Sequence, residues 1–205
     1  MKIAIIIIIT SAFLNSSCYS KPEKTESMSI QTELAELSVA VKDGPCSGPE
    51  YSQLDFWVGE WELRSMIPDT SSETGWRIGK ARNTIRKILD GCVIEENFDG
   101  STLKNGLVGK SYSTYSKASG KWYQTWLDNS GSYLPFTGIF EDDKTIFRME
   151  REKNGKKFLS QMVFYNIEEN SLTWDWESSK DDGKTWNLLW RIEYSRRMQS
   201  INELL

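Results

Sequence analysis

Lys121-Trp122-Tyr123-Gln124-Thr125-Trp126-Leu127-Asp128-Asn129-Ser130-Gly131 alternates along its length and then runs into a turn. Successive side chains of an extended chain point to opposite faces, so Trp122, Gln124, Trp126 and Asp128 share one of them. The closing pair Ser130-Gly131 has counterparts on both sides. Asp90-Gly91, Asp99-Gly100, Asn105-Gly106 and Ser119-Gly120 precede it, and Asp142-Asp143, Asn154-Gly155, Glu169-Asn170 and Asp182-Gly183 follow. Between these turn signals lie segments of strand length rich in aromatic residues, which reads as hairpin after hairpin. The alternation predicts strands over 60–67, 76–89, 92–98, 107–116, 121–128, 132–140, 144–152, 157–166, 171–178 and 185–195. A meander of about ten strands, each with an apolar stripe, closes on itself because closure removes the exposed edges. The expected fold is all-β: a closed antiparallel up-and-down barrel.

The 205 residues suit one domain and an appendage. Nine Trp, eight Tyr and eight Phe supply a substantial core, since each buried ring removes roughly 150–250 Å² from water. With 25 basic and 29 acidic residues the formal charge is −4. That balance offers no field for phosphates, so nucleic acid is not an expected partner. Histidine is absent. Ser-His-Asp and Cys-His catalysis, a haem held by His and imidazole-bound zinc are therefore excluded, and acid–base work would fall to Asp, Glu, Lys or Tyr.

Lys2 and the apolar run from Ile3 to Leu14 form a charged start and a twelve-residue stretch, too short to span a bilayer but suited to a signal sequence. Asn15-Ser16-Ser17-Cys18 follows and resembles a bacterial lipoprotein signal, with Cys18 as the acylated residue. Leu14 stands four residues before that Cys, with Asn15 between. Ordinary signal cleavage and secretion is the alternative. The organisation expected is a signal peptide at 1–17, a flexible tether at 18–49 and a barrel domain at 50–205, since the polar tether cannot bury enough surface to fold alone. The protein is then exported, either membrane-anchored in the bacterial cell envelope or soluble in the periplasm or medium. In an oxidising compartment Cys46 and Cys92 are a disulfide candidate that pins the tether's end to the barrel; two free thiols are the alternative.

Gly59-Glu60-Trp61 at the first strand and Arg196 near the end of the last resemble the calycin superfamily, which includes the lipocalins. In that superfamily the Trp closes one barrel end and a basic side chain packs over it. Phe56-Trp57-Val58-Gly59-Glu60-Trp61, Gly91-Cys92-Val93-Ile94-Glu95-Glu96, the Gly120–Gly131 string and Asp182-Gly183-Lys184-Thr185-Trp186 are similar to a bacterial calycin-type family catalogued as domain of unknown function 1579. The resemblance covers about residues 46–197. It implies an exported lipocalin-like barrel closed by Trp57, Trp61 and Arg196, and it implies no reaction. Ser179 to Trp186 also fits the Asp-box pattern, resembling stabilised hairpin turns of exported β proteins. There Asp and Ser hydrogen-bond across the turn, Gly takes a positive φ and Trp packs beneath.

Glu96, Gln124, Trp126 and Asp128 are the candidate interior polar cluster. Glu96 shares a face with Cys92, Ile94 and Phe98, which drives it inward, where a lone carboxylate needs a partner; Arg148, Lys110 or the Gln124 amide are the candidates. In the last strand Trp186, Leu188, Trp190, Ile192, Tyr194 and Arg196 share a face. Rings mixed with a few fixed polar groups suit a small-molecule site, made of Glu96, Gln124, Trp126, Asp128 and Arg148. A structural network that fixes barrel register is the other reading of the same residues. Asp128-Asn129-Ser130-Gly131 has one carboxylate and reads as a tight turn, so neither metal nor cofactor is expected. Three functional readings stand in order: a barrel binding a small apolar or amphipathic ligand, a structural or partner-binding lipoprotein with a filled barrel, and a carboxylate-dependent enzyme using Glu96 and Asp128. A cavity above roughly 300 Å³ separates the first from the second.

Overall fold

The structure, a computed structural model, describes residues 44–197 apart from 142 and 154. The stretch expected to be a signal peptide, most of the expected tether and Cys18 lie outside the described residues. Two short 3-10 turns, Pro49–Ser52 and Asp55–Trp57, lead into ten strands: β1 (Gly59–Pro68), β2 (Trp76–Ile88), β3 (Val93–Gly100), β4 (Leu107–Ser116), β5 (Lys121–Asp128), β6 (Tyr133–Glu141), β7 (Lys144–Lys153), β8 (Lys156–Tyr165), β9 (Ser171–Ser179) and β10 (Asn187–Arg196). Each strand pairs with its sequence neighbours, all antiparallel, and β1 pairs with β10 to close the barrel. The expected all-β up-and-down barrel is the fold observed.

Turn chemistry sets these boundaries. Gly91, Gly106, Gly120, Gly131, Gly155 and Gly183 all have positive φ, where a Cβ is unfavourable. Asp99-Gly100 is the exception. It forms the last rung of β3, opposite Leu107 and Val108, and the chain reverses over 101–106 instead. Leu103 of that reversal packs so closely on Gly100 that a side chain there would not fit.

The meander puts the turns at 89–92, 117–120 and 166–170 at the same end as the entering chain, and those at 69–75, 101–106, 129–132 and 180–186 at the opposite end. The first end is filled. Trp57, Trp61, Trp122, Phe147 and Phe164 are almost wholly buried there or just beneath it, with Trp57 edge-on to Phe164 at 5.1 Å between ring centroids. Trp61 Nε1 donates to the Trp57 carbonyl at 2.8 Å. The Arg196 guanidinium lies 4.1 Å from the centre of the Trp61 ring. It donates to the carbonyls of Val58 (2.9 Å), Phe56 (3.3 Å) and Glu169 (2.9 Å). Gly59 is required by this clamp, because a Cβ at that position would collide with Arg196 Nη1. Trp57, Trp61 and Arg196, the three residues expected to close a barrel end, thus meet at this filled end.

Cys46 and Cys92 form a disulfide with a Cα–Cα distance of 5.0 Å, fastening the entering chain to the turn between β2 and β3. Lys87 pairs with Asp55 at 2.5 Å, and Trp122 Nε1 donates to Gln53 Oε1 at 2.9 Å. The plug is therefore held by covalent, ionic and hydrogen-bonded ties to three different segments.

Candidate functional site

The other half of the barrel is hollow. A cavity of about 280 Å³ opens there, just short of the roughly 300 Å³ at which ligand pockets begin, so volume alone does not separate a binding barrel from a filled one and the character of the wall has to. Its aromatic wall is a chain of ring contacts that passes from strand to strand. Trp126 of β5 meets Phe98 of β3 at 5.9 Å, and Phe98 meets Trp190 of β10 at 5.8 Å. Trp190 meets Trp174 of β9 at 5.3 Å, Trp174 stacks on Trp176 at 6.5 Å, and Trp176 meets Phe136 of β6 at 5.8 Å. All six rings line the cavity. Their contacts are mostly edge-to-face, the arrangement that ring quadrupoles favour, and each ring braces its neighbour.

Gly109 makes room for the belt. It sits opposite Phe98 and Asp128 on the neighbouring strands, and a Cβ there would run into the Trp126 ring and the Leu127 carbonyl. The indole of Trp126 therefore lies across β4, and its Nε1 donates to Asp128 Oδ2 at 2.9 Å.

Glu96 is the polar group set into this wall. Alternation along β3 buries Ile94, Glu96 and Phe98 together. Ile85 and Ser111 are its cross-strand neighbours. Asn83 Nδ2 donates to Glu96 Oε1 at 2.7 Å, and Ser111 Oγ donates to Oε2 at 2.6 Å. Gln124 Nε2 in turn donates to Ser111 Oγ at 3.0 Å, and Asn83 Nδ2 is also 3.2 Å from the Tyr194 hydroxyl. Burial pushes the Glu96 carboxyl up from its ordinary 4.5 to about 7, against the pull of its two hydrogen bonds. Tyr194 is pushed up as well, first by burial and then by the charge of Glu96.

Asp128 also lines the cavity, but its environment is the opposite. Burial draws its pKa upward, yet hydrogen bonds from Ser130, Trp126 and Ser132 outweigh that effect and hold the carboxyl well below the usual range. Oδ1 accepts from Ser130 N (2.9 Å), Ser130 Oγ (2.5 Å) and Ser132 N (3.2 Å). The expected turn is what these bonds build. No group of three or more potential metal ligands occurs among the described residues.

Four of the five expected ligand residues thus come together: Glu96, Trp126 and Asp128 line the cavity, and Gln124 supports Glu96 through Ser111. Arg148 does not join them. It pairs in register with Gln161, donates to Gln161 Oε1 at 2.8 Å, and lies 5.6 Å from the Trp186 ring centre. Phe147 and Met149 take the inward positions of β7, so parity turns Arg148 outward and brings Arg151 to the cavity instead. Arg151 is exposed and donates to Ser160 Oγ at 2.9 Å. Asn83 and Ser111 take the partner role expected of Arg148 or Lys110.

Trp186 likewise leaves the face expected for it. A register shift between Leu188 and Trp190 breaks the alternation of β10, and Trp186 packs against the Asp-box turn and Arg148. The turn itself is as expected. Ser179 Oγ accepts from Gly183 N at 2.9 Å, while Asp181 accepts from Thr185 N at 2.9 Å and Thr185 Oγ1 at 2.6 Å. These bonds hold the Asp181 carboxyl down at about 2.

A second hollow of about 550 Å³ adjoins the first, with Leu107 and Trp190 lining both. Its other walls include Ser65, Arg77, Gly79 and Leu103, at the end where the 101–106 reversal lies. It is larger, yet it has neither the buried carboxyl nor the aromatic belt. The chain matches no model of a known protein family, and no curated protein matches it significantly.

Proposed function

We propose that this protein is an exported, lipid-anchored barrel of the calycin type whose hollow half holds a small apolar or amphipathic molecule. The observation that carries the reading is the belt of six contacting rings around a cavity with one buried carboxyl in its wall. Apolar walls supply affinity, and a few fixed polar groups supply orientation. A structural barrel has no need to leave that volume unfilled, because interior space without contacts forfeits dispersion energy. The disulfide supports the exported setting, since such bonds persist in oxidising compartments. Asp128 is a poor candidate for a general base, because turn donors occupy its oxygens.

Tryptophan fluorescence tests the binding reading directly, because Trp126, Trp174, Trp176 and Trp190 all face the cavity. Titration with a small aromatic such as toluene should give a saturable change that Trp174→Ala alters in midpoint. A linear, non-saturating response would return the barrel to a structural role. The anchor is tested by labelling with a radioactive fatty acid, which Cys18→Ala should abolish.

A further inference from the structure

We propose, building on the ligand-binding reading, that the cavity is selective for a protonated amine on an aromatic or apolar body, with the ammonium seated against Glu96 and ringed by the aromatic belt. Three features of the wall favour a cation over a neutral or anionic head.

The first is the rings themselves, whose faces carry negative electrostatic potential and attract ammonium groups. The second is the balance of hydrogen-bonding atoms beside Glu96. Asn83 must direct Nδ2 to the Glu96 carboxylate, and this fixes its Oδ1 as an acceptor, which is buried without a partner. Gln124 uses Nε2 on Ser111, and its Oε1 is likewise buried without a partner. Of the buried side-chain atoms without a partner, Asn83 Oδ1 and Gln124 Oε1 accept, Trp57 Nε1 donates and Ser113 Oγ can do either; acceptors thus exceed obligate donors by one, and an ammonium brings donors only. The third is the charge around the cavity. Glu96 and Asp128 line it, whereas its single cationic wall residue, Arg151, is exposed and engaged with Ser160. The other groups facing Glu96 carry no positive charge: Asn83 from β2, Ser111 from β4, Gln124 from β5, Tyr194 from β10 and the Trp57 indole.

Binding is then coupled to a proton. At neutral pH part of the Glu96 population is protonated, and an entering ammonium favours the carboxylate. The Glu96 O–H bond breaks, its proton leaves to solvent, and the ammonium keeps all of its own protons. The complex is an ion pair closed off by the rings, with one proton released per molecule bound from the protonated form.

The test compares phenethylamine, 2-phenylethanol and phenylacetate by calorimetry on the intact chain at pH 6 and pH 8. These three share one aromatic body and differ in head-group charge. Phenethylamine is expected to bind about tenfold more tightly at pH 8, following the ionised fraction of a group that titrates near 7, and to release protons to the buffer. Phenylethanol should bind more weakly with no pH dependence, and phenylacetate should bind least. Glu96→Gln should weaken phenethylamine by roughly tenfold or more, the scale of one lost charge-assisted hydrogen bond, and weaken phenylethanol by a smaller factor. The pH dependence of the unmodified chain needs no variant, so it decides the matter even if Glu96→Gln misfolds. If phenylethanol binds as well as phenethylamine at both pH values, the cation proposal falls and the ligand-binding reading stands. If none of the three binds, both fall.

Discussion

Glu96→Gln should flatten a specific part of the pH dependence of stability. The carboxyl is buried and its pKa rises from 4.5 to about 7 on folding. Below pH 4.5 both folded and unfolded chains carry the proton, and the site has no cost. Between about 4.5 and 7 the unfolded chain releases its proton while the folded chain keeps it, so stability falls as pH rises. Above about 7 both are ionised and the full cost is present. At ~1.4 kcal/mol per pH unit the interval amounts to about 3 kcal/mol. Glutamine preserves the shape and cannot ionise, and Ser111 Oγ can accept from its amide as it does from Gln124. The measurement is urea unfolding of both proteins from pH 4 to pH 8, followed by tryptophan fluorescence. The stability of the substituted protein relative to the original should grow by about 3 kcal/mol across that window and stay level outside it. Asp181 and Asp128, whose carboxyls are held low, lose their stabilising contributions only in more acidic solution, and they titrate alike in both proteins. A difference that stays constant from pH 4 to pH 8 would refute the assignment of a neutral-range carboxyl to this wall.

Two further outcomes concern the filled end. Trp61→Ala removes a buried indole together with its bond to the Trp57 carbonyl and the ring beneath Arg196, and should cost about 3–5 kcal/mol in chemical denaturation. Replacing Cys46 and Cys92 together by Ala opens a loop with a sequence separation of 46 residues; loop entropy sets the loss at about 4 kcal/mol, read as a lower thermal midpoint with the sheet signal in circular dichroism unchanged.

The barrel was legible because two independent signals agree at nearly every strand: a turn residue that tolerates positive φ, and alternation between turns. Where they conflicted, the sequence misled. Asp99-Gly100 has turn chemistry, but Gly100 serves to admit Leu103 and the strand runs on. Glu96, Trp126 and Asp128 were readable because apolar neighbours two residues away fix their parity. Arg148 was not, because Arg148 and Arg151 stand in a run of alternating charges with opposite parity, and only the packing of Phe147 and Met149 decides which enters. Trp186 was lost to a one-residue register shift, which reverses every face beyond it. Asn83 carried the same signal as Glu96, a polar residue between Ala81 and Ile85 on a buried face. Trp174 and Trp176 carried theirs in the alternation from Leu172. The contact chain of six rings crosses five strands, and no local pattern encodes that.

The Arg196 clamp also bears on when the molecule can fold. Its bond to the Val58 carbonyl joins residues 138 apart in sequence, and the pairing of β1 with β10 spans a similar length. Every other rung of the barrel can form between adjacent hairpins as the chain lengthens, at small entropic cost. The seam cannot, because its second half is the last strand. Until β10 arrives, β1 and β9 are open sheet edges, Trp61 lacks its cationic cover, and the plug has no guanidinium to hold its carbonyls. The arrival of β10 is thus the event that converts a curved, adhesive sheet into a closed barrel, and a stop anywhere within β10 leaves two strand edges exposed to aggregation.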